Sequence, residues 1–349
     1  MTKKRGSKAY KHDEIVGMQT LGMPAIDTSE MFLAQSGNSE LSPIDQFIQN
    51  TEAINRIYLP LVYRDEGLIR DAGVATTQDP GISVGGNAGD ANVAPGSPLS
   101  SRVRPELGAL VVLGYMSAVE SYFRALLREL ILVDDHTHSL VEPMNVSFGA
   151  ARHHKIGLLP EALTENLSFA GDKNVLDALK SFVGIKGNPP AQLEASLKEF
   201  KKVCEIRHCC VHRFGKLGSK TAIALGTESH KRFLEQPFAP SSADLQGIAA
   251  VLRLFVKTMN NHIFKSVIER IPDSGSSDPD FHYGWGWVGT WRSDRKRFSE
   301  YYRIFSSSLE SPPSPSIKDV YVGLRDFVAD RRTTRPPAKS HPVVKAATA

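Results

Sequence analysis

The sequence predicts an all-α protein, and three observations carry that expectation. Apolar residues recur at steps of three and four over long segments, which places them on one face of a helix. Stretches rich in proline, glycine and serine separate those segments and read as breaks. No segment alternates apolar and polar residues convincingly over strand length. The chain has 349 residues, 41% hydrophobic and 23% charged, so it can bury a sizeable core. Its net charge is only +4, which does not by itself announce a nucleic-acid partner; a local basic patch remains compatible with one.

Taken in order, residues 1–42 are polar and poorly patterned and read as a flexible arm. The segment 43–104 joins one helix to a loop. The helix, over 43–70, contains Pro60, which should end or kink it. The loop, 71–101, is built from Gly, Ala, Ser and Pro with almost no large apolar residue, and cannot bury enough surface to offset its ordering entropy. A helical core is expected over 105–270. Its first helix spans about 106–133, with Val119, Tyr122, Phe123, Leu126, Leu127, Leu130 and Ile131 in one wide stripe. Glu120, Arg124 and Arg128 share its other face and read as a solvated column of i,i+4 pairs.

A long insertion follows, with short helices over 158–168 and 172–183. After Pro189 and Pro190 a second strong helix carries Leu193, Leu197, Phe200, Cys204, Arg207, Val211 and Phe214 on its stripe, ending at Gly215 and Gly218. A third starts after Ser241 and Ser242, a capping signal, with the stripe Leu245, Ile248, Leu252, Val256, Met259, Ile263 and Val267. A linker at 272–280 leads to a helical, aromatic and basic C-terminal appendage over 281–330, and 331–349 reads as a disordered tail.

The basic start has no apolar stretch behind it and does not read as a secretory signal. The longest charge-free apolar run, residues 107–119, is shorter than the roughly 20 residues a membrane helix needs. All three cysteines fall within 204–210, which is no disulfide framework. These features suit a reducing cytoplasm and no membrane partner.

The chemistry concentrates in "RHCCVHR", Arg207 to Arg213. Cys204, His208, Cys209 and His212 have spacings that zinc can use, but the second ligand pair of a zinc site is missing. Cys204 and Cys210 fall on or beside the apolar stripe, where a free cysteine behaves as a small hydrophobe. No metal and no cofactor is expected. Arg207 on an apolar stripe is costly unless it is paired, meets a partner, or extends its head into water. The spacing Arg-x(4–6)-His is a weak signal, because it recurs at Arg5/His12 and Arg335/His341 in basic or proline-rich tails. Only Arg207/His212 lies on a strongly patterned helix, at its C-terminal end.

"VCEIRHCCVHRFG" resembles the signature of HEPN domains: an apolar helix, then Arg, a polar residue, apolar residues, His and a glycine turn. "VVLGYMSAVESYFRALLREL", 111–130, is similar to the first core helix of that family, with Val119, Glu120, Ser121, Tyr122 and Phe123 as its apolar-Glu-apolar-aromatic run. The resemblance covers about 105–268 and is nearest to the RNase-L- and prophage-type subgroup. It departs in having His208 where Asn is frequent, and in its long insertion.

The resemblance implies a HEPN-like bundle and a metal-independent endoribonuclease, a toxin or antiphage effector, cutting RNA by attack of the 2′-hydroxyl. His212 would be general base or acid, Arg207 the phosphate clamp, and His208 an orienting or proton-transfer group, with Glu120 in support. Residues five apart on a helix differ by about 140° and rise by about 7.5 Å, so Arg207 and His212 do not converge on one helix. Together with the composite sites known in the family, this predicts a homodimer with the site on its two-fold axis. Arg213, Lys216 and Lys220 are candidates to hold the RNA backbone, or else cations placed at a helix C-terminus. The expected partners are RNA, tRNA among the candidates, a second copy, and an antitoxin or other regulatory protein. The alternative is a non-catalytic HEPN-like module that binds a protein, a nucleotide or RNA.

Overall fold

A computed structural model of the chain describes residues 28, 31–32, 41–65, 102–271 and 286–334. The expected loop at 71–101, the linker at 272–280 and nearly all of the tail lie outside the described residues, as does most of the arm. The first 40 residues form a unit of their own, described only by a turn in which the Met31 N–H donates to the Thr28 carbonyl at 3.2 Å.

The second unit begins at Leu41 and is all-α. Its helices are α1 Pro43–Asp65, α2 Pro105–Val133, α3 Asp135–Val141, α4 Phe148–His153, α5 Leu159–Thr164, α6 Asp172–Ala178, α7 Ala191–Arg213, α8 Ser219–Leu225, α9 Thr227–His230, α10 Ser242–Arg270, α11 Trp291–Phe305 and α12 Ile317–Thr334. No strand occurs among the described residues; two isolated bridges, Arg102 with Ser241 and Lys216 with Pro237, tie loops together.

α2 is the central helix. It is apolar on most of its circumference because neighbours cover most of its circumference. It is the one described helix long and apolar enough to cross a membrane by length and composition, and its burial inside the bundle accounts for that apolarity. α1 runs antiparallel to it: Phe47 meets Tyr122 while Tyr58 meets Tyr115. α10 runs parallel to it, since Tyr122 donates to Asn260 and Arg270 pairs with Asp134 further on. α7 is antiparallel to α10 and packs on it through Phe200 and Phe255, whose rings stack with centroids 4.0 Å apart. Burying one such side chain stabilises the fold by roughly 1.5–3 kcal/mol.

α10 starts as its sequence signals. Ser241 accepts the Asp244 N–H, and the Asp244 carboxylate accepts the Ser241 N–H, which closes a capping box. Gly108 lets the first turns of α2 approach Pro240; a Cβ there would lie 2.7 Å from the proline ring.

Three expectations change. α1 continues through Pro60. Pro60 and Arg56 lie on the exposed face, so the carbonyl that loses its donor faces water. The C-terminal appendage is part of the main core: Phe298, Tyr301, Ile304 and Phe305 of α11 and Tyr321 of α12 join the same hydrophobic cluster as α1, α2, α7 and α10. Trp287 and Trp291 pack on Tyr321. The charged column on α2 is not an open solvated face either. The insertion docks on it, with Arg124 donating to the Thr164 and Leu167 carbonyls and Arg128 pairing with Glu161 at 2.7 Å.

Two buried polar junctions fasten the bundle. The Asn260 amide accepts the Tyr122 hydroxyl at 3.2 Å and donates to the Phe305 carbonyl at 2.8 Å, joining α2, α10 and α11. Asp45 of α1 accepts the Ser308 N–H at 2.9 Å, the Ser308 hydroxyl at 2.8 Å, the Leu309 N–H and the Ser307 hydroxyl. It thereby holds the turn between α11 and α12.

Candidate functional site

The candidate residues sit on the last two turns of α7. The helix begins immediately after Pro190 and ends on an unusual cap. Phe214 takes the left-handed conformation, φ 52° and ψ 42°, where glycine is the usual residue. Gly215 follows with φ 83° and donates its N–H to the Cys209 carbonyl at 3.0 Å. Phe214 is 83% exposed and Val211 is 45% exposed.

That exposure corrects the expected stripe. Leu193, Leu197, Phe200 and Cys204 are buried as their spacing requires, but Val211 and Phe214 are not. Val211 keeps the direction of the stripe, Phe214 leaves it in the left-handed cap, and among the described residues neither is buried. Arg207 lies at that boundary, with its side chain 30% exposed.

Arg207 faces α2. Its Nη2 lies 4.0 Å from Oε1 of Glu120, and Oε2 of Glu120 lies 3.9 Å from Nη2 of Arg124. One carboxylate therefore stands between two guanidiniums. Arg124 is fixed in turn by the Leu167 carbonyl at 2.7 Å and by the Phe169 ring, 5.7 Å from its centroid. An arginine side chain that is partly exposed and holds one carboxylate at this distance can still bind an oxyanion such as a phosphate.

His208 and His212 stand one turn apart with ring centroids at 4.6 Å and planes inclined by 52°. His208 is half-buried and His212 is exposed. The structure thus pairs Arg207 with Glu120 of α2, and His208 with His212, on the last two turns of α7.

The other candidates separate. Arg213 is committed to Glu235, with its Nη2 at 2.7 Å from both carboxylate oxygens, and this pair closes the excursion between α8 and α10. Gly218 makes room for that arginine, since a Cβ there would collide with its side chain. Lys216 and Lys220 are exposed. Glu235 gave no signal in the sequence, because it lies 22 residues from its partner.

Cys204, Cys209 and Cys210 are buried free thiols. Burial pushes Cys204 up to about 12 and Cys210 up to about 11. Both are therefore neutral near pH 7, the small-hydrophobe role read from the sequence. Among the described residues no three His, Cys, Asp or Glu side chains gather as metal ligands.

Compared with protein-family models, curated proteins and solved structures, the chain has no match.

Proposed function

We propose that this chain is a metal-independent endoribonuclease of HEPN type that acts as a cytoplasmic homodimer. One observation carries the reading. A partly exposed arginine and two histidines one turn apart share a helix end whose apolar residues, Val211 and Phe214, no other element among the described residues buries. A second copy on that face would bury the apolar residues and bring its own Arg207 and His212 across the two-fold axis. The resemblance of residues 105–268 to HEPN domains, and with it the toxin or antiphage role, adds to this reading.

The chemistry follows from the residue types. RNA carries its own nucleophile. The 2′-hydroxyl oxygen attacks the adjacent phosphorus while an imidazole, His212, takes its proton. The bond to the 5′-oxygen breaks, and that oxygen takes a proton from an imidazolium, supplied by His208 or by the second copy. Arg207 holds the phosphate oxygens as charge gathers on them. The products are a 2′,3′-cyclic phosphate and a 5′-hydroxyl.

The exposed, left-handed Phe214 favours a second reading: a non-catalytic module that uses the same face to grip a partner protein. One experiment separates the two. The full chain, Arg207→Ala and His212→Ala are incubated with total RNA and with tRNA in EDTA, and their masses in solution are determined. Cleavage by the natural chain alone, from a dimer, supports the enzyme. Equal cleavage by both variants sinks it, and a cleavage-silent chain that binds a protein through Phe214 supports the module.

A further inference from the structure

On the side of α7 away from Arg207, the bundle opens into a cleft of about 810 Å³. Its cause is legible in α10. Phe255 stacks on Phe200 and closes the α7–α10 contact there, but one and more turns earlier α10 presents Val251, Gly247 and Ala243. These small side chains, four residues apart on one face, leave room between the helices. A Cβ on Gly247 would meet nothing within 4 Å. Val203, Ile206 and Cys209 of α7 form the facing wall. The volume falls within the roughly 300–1,000 Å³ of small-molecule sites, and the lining is mainly apolar, as in such sites.

The polar groups of the cleft decide what would enter. Its two carboxylates are already used. Glu199 holds the Lys202 ammonium at 2.7 and 2.9 Å, and Asp244 is the acidic half of the capping box. The His230 ring nitrogen lies 2.9 Å from the Gly226 carbonyl and 2.9 Å from the Ser229 hydroxyl. Arg102 is different. Its guanidinium donates to the Ala239 carbonyl and, among the described residues, pairs with no carboxylate. An exposed arginine with no carboxylate partner among the described residues thus lines an apolar cleft.

We propose that this cleft binds a small amphipathic anion, with an apolar body between α7 and α10 and one carboxylate, sulfonate or phosphate on Arg102. The arginine at one rim and the apolar residues of the lining select that class together. The proposal does not rest on the ribonuclease reading, since binding is measured without RNA.

The probe is anilinonaphthalene sulfonate, an aromatic body with one anionic group, titrated into the full chain and followed by its fluorescence. N-phenylnaphthylamine serves as its uncharged counterpart. The natural chain should bind the sulfonate saturably at one site. Gly247→Leu fills the cleft on an exposed helix face and should weaken both probes by about tenfold or more, with unchanged circular dichroism. Arg102→Gln should weaken the sulfonate by about tenfold and leave the neutral probe as it was. Non-saturable binding by the natural chain overturns the proposal, as does unchanged sulfonate binding in both variants. Equal weakening of both probes by Arg102→Gln overturns the assignment of the anion to Arg102.

Discussion

Arg207 and Glu120 face each other across the α7–α2 contact at 4.0 Å, and Glu120 also stands 3.9 Å from Arg124. Arg124 is anchored to the carbonyl of Leu167. The orientation of Arg207 thus depends on a carboxylate that is itself steered by the insertion. Partly exposed ion pairs of this kind are worth up to about 1 kcal/mol. Under the ribonuclease reading, Glu120→Ala should slow cleavage by roughly three- to tenfold. Arg207→Ala should slow it by about 10²–10³, the scale of a lost oxyanion donor. Single-turnover rates at saturating RNA, beside circular dichroism, check both. Equal losses in the two variants would count against Glu120 acting through Arg207.

Phe214 holds a left-handed backbone at φ 52° while 83% exposed. A bulky side chain there costs of order 1 kcal/mol that glycine avoids. Phe214→Gly should raise the unfolding free energy of the monomer by about 0.5–1 kcal/mol and, under the homodimer reading, weaken self-association. Urea unfolding and sedimentation measure the two effects separately. A less stable monomer with unchanged association would show that Phe214 packs within its own chain.

Asp45 predicts the response to acid. Burial pushes its carboxyl upward, but hydrogen bonds from Ser307, Ser308 and Leu309 outweigh that and hold it below its ordinary value. A group depressed in the folded state stabilises it above its unfolded pKa, about 3.9, and that contribution is lost as pH falls through the folded value. Asp45→Asn should therefore destabilise by roughly 1.5–3 kcal/mol at pH 6. The gap between variant and natural chain should narrow below about pH 4. Denaturant midpoints at pH 6, 4 and 3 test this; a gap that stays constant would refute it.

Asn260 is 2% exposed and joins the Tyr122 hydroxyl to the Phe305 carbonyl. Asn260→Leu leaves both groups buried without a partner, at about 1–3 kcal/mol each. Tyr122→Phe removes only the donor and should cost about 1 kcal/mol. The double variant should be less destabilised than the sum of the two singles, because the tyrosine oxygen is then absent. Denaturant unfolding of all four chains gives the coupling, and strict additivity would exclude the junction.

The sequence by itself determined the long helices and the all-α class, but it did not mark the short helices α3, α4, α8 and α9. Three- and four-residue periodicity is a local property, and Ser241 with Asp244 closes the expected cap at the start of α10 from neighbouring residues alone. It also singled out Arg207, His208 and His212, because their types and their place at a helix end are local facts. Tertiary structure decided what each face meets. Periodicity placed Val211 and Phe214 on the stripe of α7, but Phe214 leaves the helix in a left-handed cap, and only packing determines whether anything covers Val211. Sequence spacing did not show that Arg213 pairs with Glu235, 22 residues on. Pro60 stays within α1 because its face meets water, and α11 joins the core through contacts with α2 and α10. The cleft beside α7 arises the same way. Small residues on α10 become a cavity only when an antiparallel helix stands opposite them, and no local pattern encodes that distance.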